Sequence, residues 1–595
     1  MSFFKNIFKE RENKISTVQN SEKEQIINKP KKMDIFIEMD RSEALELFQL
    51  IETENLLTTT KENNKTKKIA DDILENKFFL MNSLDVIDFS KGIDWNYTHP
   101  TSSNTYKLYI QCLNVLSHLV DAFRITGEQK YLLKARDILW DWKDNILNDS
   151  TVNKYKWVDH SVANRVLNII YLYIVGHKVI TLEEEVIIPI LIKHGDFLDN
   201  DKNYRPNNHG IMVDRSLIYL STFLKNYEES DRWFQKAKLR VTNAVYRDFS
   251  SKGVHLENSP MYHTMTRRMF NELEKYLQSI NLTLGKEVRQ KLLMSNDYIK
   301  YIMKPNNELP IIGDTQVSKV RWLEKSYGAF HDETAGITIF QNQVEETALS
   351  TWLAFICGYG STTHKHRDDL SLSLFHNDED IFIDSGRYNY DNKDRIRQYL
   401  QSPKAHSTLT IKNQDYVIDE PYKYRNVIKT TDFVDNSTYS YVKGINNAYE
   451  GSNLSRSILF VKPDIIVIKD YGVSDEVKEY DQIFNLNHTL EINNDNNNVL
   501  IHSEKNKVRI KQLANASDPI ILNPDESIPR GIISREFGEY TPTKQLVYRA
   551  TGKRVEFITM INLNYKEDHD IKVKYNNNNS MLDINYNGLS LSVIL

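Results

Sequence analysis

Cysteine is nearly absent from this 595-residue chain, which has only Cys112 and Cys357. They lie far apart and neither belongs to a CxxC pair, which argues against a disulfide-stapled scaffold, cysteine-ligated zinc and thiol redox chemistry. Long apolar runs are missing too. No stretch of about 18 apolar residues occurs, so no transmembrane helix is expected. The opening MSFFKNIFKERENK has neither a signal-peptide apolar core nor a small-residue cleavage site, which gives the expectation of cytoplasmic or membrane-peripheral residence. Phe3, Phe4, Ile7 and Phe8 form an apolar face interrupted by Lys5 and Lys9. It reads either as a frayed terminus or as a short segment in weak contact with a membrane surface, and Ser2 excludes N-myristoylation. Charge of one sign is not in excess either. The 76 basic and 81 acidic residues leave a net −5, which excludes a strongly basic nucleic-acid binder.

What is present is an ordinary globular composition, 40% hydrophobic and 11% aromatic, in a chain long enough for two or three domains. Residues 1–90 read as a variable, partly disordered N-terminal segment, lysine- and glutamate-rich over 9–33. From about 105 to 330 apolar residues recur at helical spacing. Leu108, Cys112, Val115, Leu116, Leu119, Val120 and Phe123 make one stripe, and Ile125-Thr126-Gly127 ends it. Tyr131 to Trp142 and Val162 to Ile174 carry the next two, and helices repeating in pairs without a fixed-length repeat suggest an α/α toroid. Beyond about 335 the period falls to two, as in Gly336 to Phe340 and Ile381 to Ile383, which marks a β domain. Its clearest hairpin pairs Ile458–Val461 with Ile465–Ile468 around Lys462-Pro463-Asp464. The asparagine-rich 494–498 and 576–579 read as loops.

Four polar clusters carry potential chemistry. Asn207-Asn208-His209-Gly210 precedes a helical run and reads either as a helix cap or as an amide and an imidazole at a helix start. In HLENSPMYH, Ser259-Pro260 fixes a turn before Tyr262, with His255, Glu257 and His263 as titratable neighbours for a poised phenol. In HKHRDDLSL, His364 and His366 share a face if the segment is extended. Finally, His366, Asp384 and His406 form a two-histidine, one-carboxylate set chemically suited to zinc, although their spacing is no generic signature.

The order NNHG, HLENSPMYH, HKHRDDLSL, IFIDSGRYNY and AHSTL resembles the heparinase II/III-like polysaccharide lyases, over about residues 95–470. Further matching stretches are Trp157 to Arg165, Lys304 to Asp314 and the Arg456–Asp470 hairpin. The resemblance implies an incomplete α/α toroid over 91–332 and an antiparallel β-sandwich over 333–595. It also implies β-elimination on a uronic-acid polymer, in which the C5 carboxylate is neutralised, the C5 proton removed and the C4 oxygen protonated. By the same resemblance Asn208 assists neutralisation, His209 contacts substrate or serves as an alternative base, and Tyr262 is base, acid or both. His364 is the catalytic histidine from the β domain, and His366, Asp384 and His406 hold a structural zinc. Ser407 stands where many relatives have Asn. Arg205, Arg267, Arg268 and Arg395 are candidate holders of the anionic polymer on charge alone, with a solvated-surface reading equally open. The implied partner is a uronate polysaccharide or oligosaccharide. A uronyl C5-epimerase and a non-catalytic sugar-binding protein are the competing readings; a glycoside hydrolase would need paired carboxylates instead.

Overall fold

The computed structural model describes residues 55–594, apart from 82–83, 101–102, 148–153, 496–497, 515–517, 566–570, 577–579 and 587. The amphipathic start and the lysine- and glutamate-rich segment therefore lie outside the described residues, as do 577–579 of the second asparagine-rich stretch.

The first half is helical. Its helices are α1 (Thr66–Leu74), α2 (Ser103–Ile110), α3 (Asn114–Thr126), α4 (Lys130–Trp142), α5 (Asp159–Gly176), α6 (Glu184–Asp199), α7 (Asn208–Phe223), α8 (Ser230–Asp248), α9 (Pro260–Ser279) and α10 (Lys286–Ile302). The apolar stripe expected over 108–123 is split by Leu113, which takes a left-handed conformation between α2 and α3, and Gly127 closes α3 with φ 72°. Packing proceeds through neighbours, α3 on α4 and α5, and α7 on α5, α6 and α8, so one apolar core runs through the toroid. That core takes in Leu57, Ile69, Ile73, Phe78 and Phe89, upstream of the expected start at 91. Thr59 and Thr60 donate to Asn168 and Asp121, at 2.6 Å each, which ties the segment before α1 to α5 and α3.

The second half is β. A five-stranded antiparallel sheet has β1 (Phe330–Asp332), β2 (Ile337–Asn342), β3 (Thr351–Ile356), β4 (Ser371–His376) and β5 (Glu379–Phe382) in sequence order. The facing sheet is built from β6 (Leu409–Ile411), β7 (Ile428–Asp435), β8 (Tyr439–Asn446), β9 (Ser452–Val461), β10 (Ile465–Asn485), β11 (Glu491–Asp495), β12 (Asn498–His502), β13 (Lys507–Ala514), β14 (Ile520–Leu522) and β15 (Gln545–Asn562). Its main path is β11-β12-β13-β15-β10-β9-β8-β7, with β6 on β10 and β14 on β15. The hairpin read from sequence is present, with Val461 opposite Ile465. Asn494 and Asp495 pair with Val499 and Asn498, so these ends of the stretch are strand and not loop.

Four layers result. Phe340, Phe355, Leu372 and Leu374 of the first sheet meet Ile458, Phe460, Ile466 and Ile468 of the second. The outer face of the first sheet, through Ile337, Ile339, Trp352 and Ala354, is covered by Tyr298, Ile299 and Ile302 of α10. A three-stranded sheet, β16 (Lys572–Asn576), β17 (Met581–Tyr586) and β18 (Leu589–Ile594), covers the outer face of the second. The alternating Leu370–Leu374 run is therefore buried on both faces, because a helix of the toroid occupies the side that a free sandwich would expose to water. The architecture is an incomplete α/α toroid followed by an antiparallel β-sandwich.

Candidate active site

The site is assembled where α7, α9 and the loop after β3 converge. Asn207 caps α7 by accepting the His209 N–H at 3.0 Å, which is the cap reading of that motif. Asn208 is buried, and its N–H is accepted by Glu257 at 3.3 Å. His209 Nδ1 lies 3.2 Å from Asp159, the first residue of α5, and Arg205 Nε is 3.5 Å from the same carboxylate. Burial works to raise the Asp159 carboxyl, but His209, the His160 N–H and Arg205 outweigh it and hold the group below its usual value.

Ser259 accepts the Tyr262 N–H at 3.4 Å and Pro260 occupies the first turn of α9, the local chemistry that fixes where Tyr262 stands. The Tyr262 ring stacks on His364 with centroids 3.7 Å apart and planes at 20°. Its hydroxyl bonds the Tyr390 hydroxyl, which in turn accepts from Arg387 Nη1; Arg387 Nη2 donates to Gln316. Burial and then Tyr390 push the Tyr262 phenol far up, so it carries its proton at rest.

His364 does not lie on a strand. It has φ 56°, in the left-handed region, inside the loop leading to β4. The strand-parity argument for His364 and His366 therefore fails, yet the two still converge, because the two oxygens of Asp314 receive them separately. His364 Nδ1 is 2.8 Å from Oδ2 and His366 Nε2 is 2.9 Å from Oδ1. Arg397 completes the cluster, with Nη1 at 2.5 Å and Nη2 at 2.8 Å from the same carboxylate. Burial alone would raise Asp314, but these bonds reverse that and keep it well below the usual range. His364 Nε2 lies 3.8 Å from Glu257 Oε2, a buried oxygen with no hydrogen-bond partner. Burial raises Glu257.

Among the described residues no three histidine, cysteine or carboxylate side chains stand ready to hold a metal ion. His406 Nδ1 bonds Asp384 Oδ1 at 2.6 Å, and His366 keeps Nδ1 at 3.4 Å from Ser385 Oγ. Two buried atoms of the trio, Asp384 Oδ2 and His406 Nε2, have no partner, and that donor chemistry suits a zinc ion. Of the four arginines, only Arg205 contacts the group described above. Arg267 is buried under Trp322 at 4.0 Å and donates to Asn296, Arg395 donates to the Ser527 carbonyl at 2.6 Å, and Arg268 is exposed on α9.

Asp314, Tyr390, Arg387 and Asp159 were not singled out from sequence. A carboxylate ending the apolar run Leu309 to Gly313 was the available signal for Asp314, since such a group is buried only when paired.

Comparison with known proteins bears on the family and the fold. A heparin-sulfate lyase of Pedobacter heparinus is 19% identical over 450 residues, covering 69% of this chain and 66% of the relative. One of Bacteroides thetaiotaomicron is 19% identical over 457 residues, covering 66% and 63%. The matched stretch thus spans just under two thirds of each relative's length. The crystal structure of heparinase III superposes with a TM-score of 0.77 at 18% identity, covering 92% of this chain and 94% of that one, which establishes the shared fold. The heparinase II/III N-terminus profile matches residues 18–334 and the heparinase II/III-like C-terminal profile matches 326–572, so the chain belongs to the heparinase II/III family.

Proposed function

We propose that this protein is a polysaccharide lyase that cleaves a uronate-containing glycosaminoglycan by β-elimination. The observation that carries the reading is the Tyr262–His364 pair, two proton carriers from different domains stacked at 3.7 Å, with the histidine oriented by Asp314. Heparin-sulfate lyases among the relatives point to the same substrate class.

The residues divide the reaction as follows. The Asn208 amide, with His209 beside it, hydrogen-bonds the uronate carboxylate, so that negative charge developing on removal of the C5 proton is accommodated there. His364 holds its Nδ1 proton on Asp314, which leaves the Nε2 lone pair to take the C5 proton. Tyr262, protonated at rest, gives its proton to the C4 oxygen as that bond breaks. Tyr390 and Arg387 hold the phenol in line, and Arg205, exposed beside Asp159, attracts the polymer's charge. His366, Asp384 and His406 are the residues that would hold zinc. Bound there, the ion would brace the β domain behind His364 and take no part in proton transfer.

The test is Tyr262→Phe, which keeps the ring and removes the hydroxyl. On a uronate polymer that the native protein cleaves, ultraviolet absorbance from unsaturated ends should fall by roughly 10²–10⁴-fold in kcat with binding retained. Near-native turnover removes Tyr262 from proton transfer. If the native protein exchanges C5 hydrogen with heavy water and never shortens the chain, it is an epimerase.

A further inference from the structure

The residues just before α9 do more than start a helix. Glu257 accepts the Asn208 N–H, and Ser259 bonds the Thr315 hydroxyl at 2.8 Å while capping Tyr262. Between them, Asn258 spends both hydrogens of its side-chain amide across the domain boundary. Nδ2 donates to the carbonyl of Ser361 at 2.7 Å and to that of Thr363 at 2.9 Å, and the next residue is His364. The backbones here are in close contact. Asn258, Gly313 and His364 all have φ between 55° and 56°, and a Cβ on Gly313 would come within 2.5 Å of the Asn258 carbonyl oxygen and 3.4 Å of that of His364. Three left-handed residues from the toroid, the connection and the sandwich meet at one point, beside the stacked pair.

A left-handed turn by itself asks only for a residue that tolerates the conformation, and glycine does so better than asparagine. The amide's two bonds are a separate matter, because they fix the loop that delivers His364 relative to the helix that delivers Tyr262. We propose that Asn258 is a positioning residue, whose amide seats the His364 loop on the Tyr262 face so that the catalytic pair forms. The inference rests on the β-elimination reading for its kinetic consequence but not for its structural one.

Two substitutions separate the amide from the turn. Asn258→Gly keeps the backbone conformation and removes the donors. Asn258→Asp keeps the shape and points carboxylate oxygens at two carbonyls, so either variant carries the test if the other folds poorly. The first readout is the ring-current shift that Tyr262 imposes on the His364 Cε1 proton in carbon-13 histidine-labelled protein, with Tyr262→Leu giving the unstacked position. The second is kcat and KM on a cleaved uronate polymer. Both variants should move the His364 resonance toward its unstacked position and lower kcat by about 10–100-fold with KM within about threefold, as expected of displaced reacting groups. Variants that merely melt earlier, with the resonance and the kcat of the folded fraction unchanged, overturn the positioning role. If the native protein yields no unsaturated ends from any uronate polymer while Asn258→Gly still loses the shift, the positioning role stands and the β-elimination reading fails.

Discussion

Acidification from pH 7.5 to 5 should destabilise the toroid before most of its carboxylates are protonated. Four buried histidines, His118, His194, His255 and His263, are held neutral, chiefly by burial; His118 is pushed down to about 4 and His263 to about 3. Geometry agrees for two of them. His194 Nε2 accepts from Arg165 at 2.7 Å and His263 Nδ1 accepts the His255 N–H at 3.0 Å, so each needs a bare ring nitrogen. A histidine whose folded pKa lies below its unfolded value near 6.5 contributes stability above pH 6.5 and loses it as pH falls, because only the unfolded chain takes up the proton. At pH 5 each such group costs about 2 kcal/mol, or about 8 for four. Asp214 opposes this. Burial raises it to about 7, and its protonation returns about 3 kcal/mol over the same interval, with Asp121 and Glu257 moving the same way by less. Before the smaller opposing shifts of Asp121 and Glu257, the net loss is about 5 kcal/mol, a large share of the stability of an ordinary domain and roughly 10 °C in Tm. Thermal melts by circular dichroism across pH 5–7.5 measure it. His118→Phe, whose ring takes the edge-on place beside Phe79, should recover about 2 kcal/mol of the loss. A midpoint that is flat or rises toward pH 5 refutes the reasoning.

Asp314→Asn should lower kcat by about 10²–10⁴-fold, because the carboxylate that orients His364 is replaced by a group that also donates; steady-state kinetics check it. Elemental analysis of the purified protein should find one zinc per chain, and His366→Ala should lose it along with stability in a melt; absence of stoichiometric metal removes zinc while leaving the lyase reading intact. Arg456→Met should destabilise by roughly 3–5 kcal/mol in denaturant titration. It leaves Asp470 fully buried without its cation and frees the carbonyls of Leu370 and Ser407, which Arg456 holds at 2.8 and 2.6 Å.

The parts of this molecule legible from sequence are those governed by neighbours along the chain. The shift from period 3.6 to period 2 and the Asn207 cap are local physics, and the structure places them where the residues indicate; Ser259-Pro260, which reads as a turn, instead caps and opens α9. The 458–468 hairpin is of the same kind, since Val461 and Ile465 flank its turn directly. His364 and His366 were found for a reason that does not apply, because a left-handed residue breaks strand parity; what unites them is Asp314, 50 and 52 positions away. Tyr390 and Arg387 were equally hidden. Tyr390 gains its place from a contact with Tyr262 across 128 residues, and Arg387 from donating to Tyr390. No local spacing encodes that kind of meeting.

The connection between α10 and β1 is usually where a two-domain protein would bend, but here it carries Asp314, which grips the histidine of one unit within stacking distance of the tyrosine of the other. On the proposed mechanism the tether is thus part of the catalytic apparatus, and displacement of the domains and loss of the proton carrier are a single event. For recombination between relatives, a crossover placed in this tether, the customary choice, would pair an Asp314 from one parent with a His364 loop from another. Chimeras should instead inherit everything from Lys304 through Leu370 as one block, together with the Glu257–Tyr262 run that touches it. A ligand wedged beneath the tether would silence the protein without touching a reacting atom.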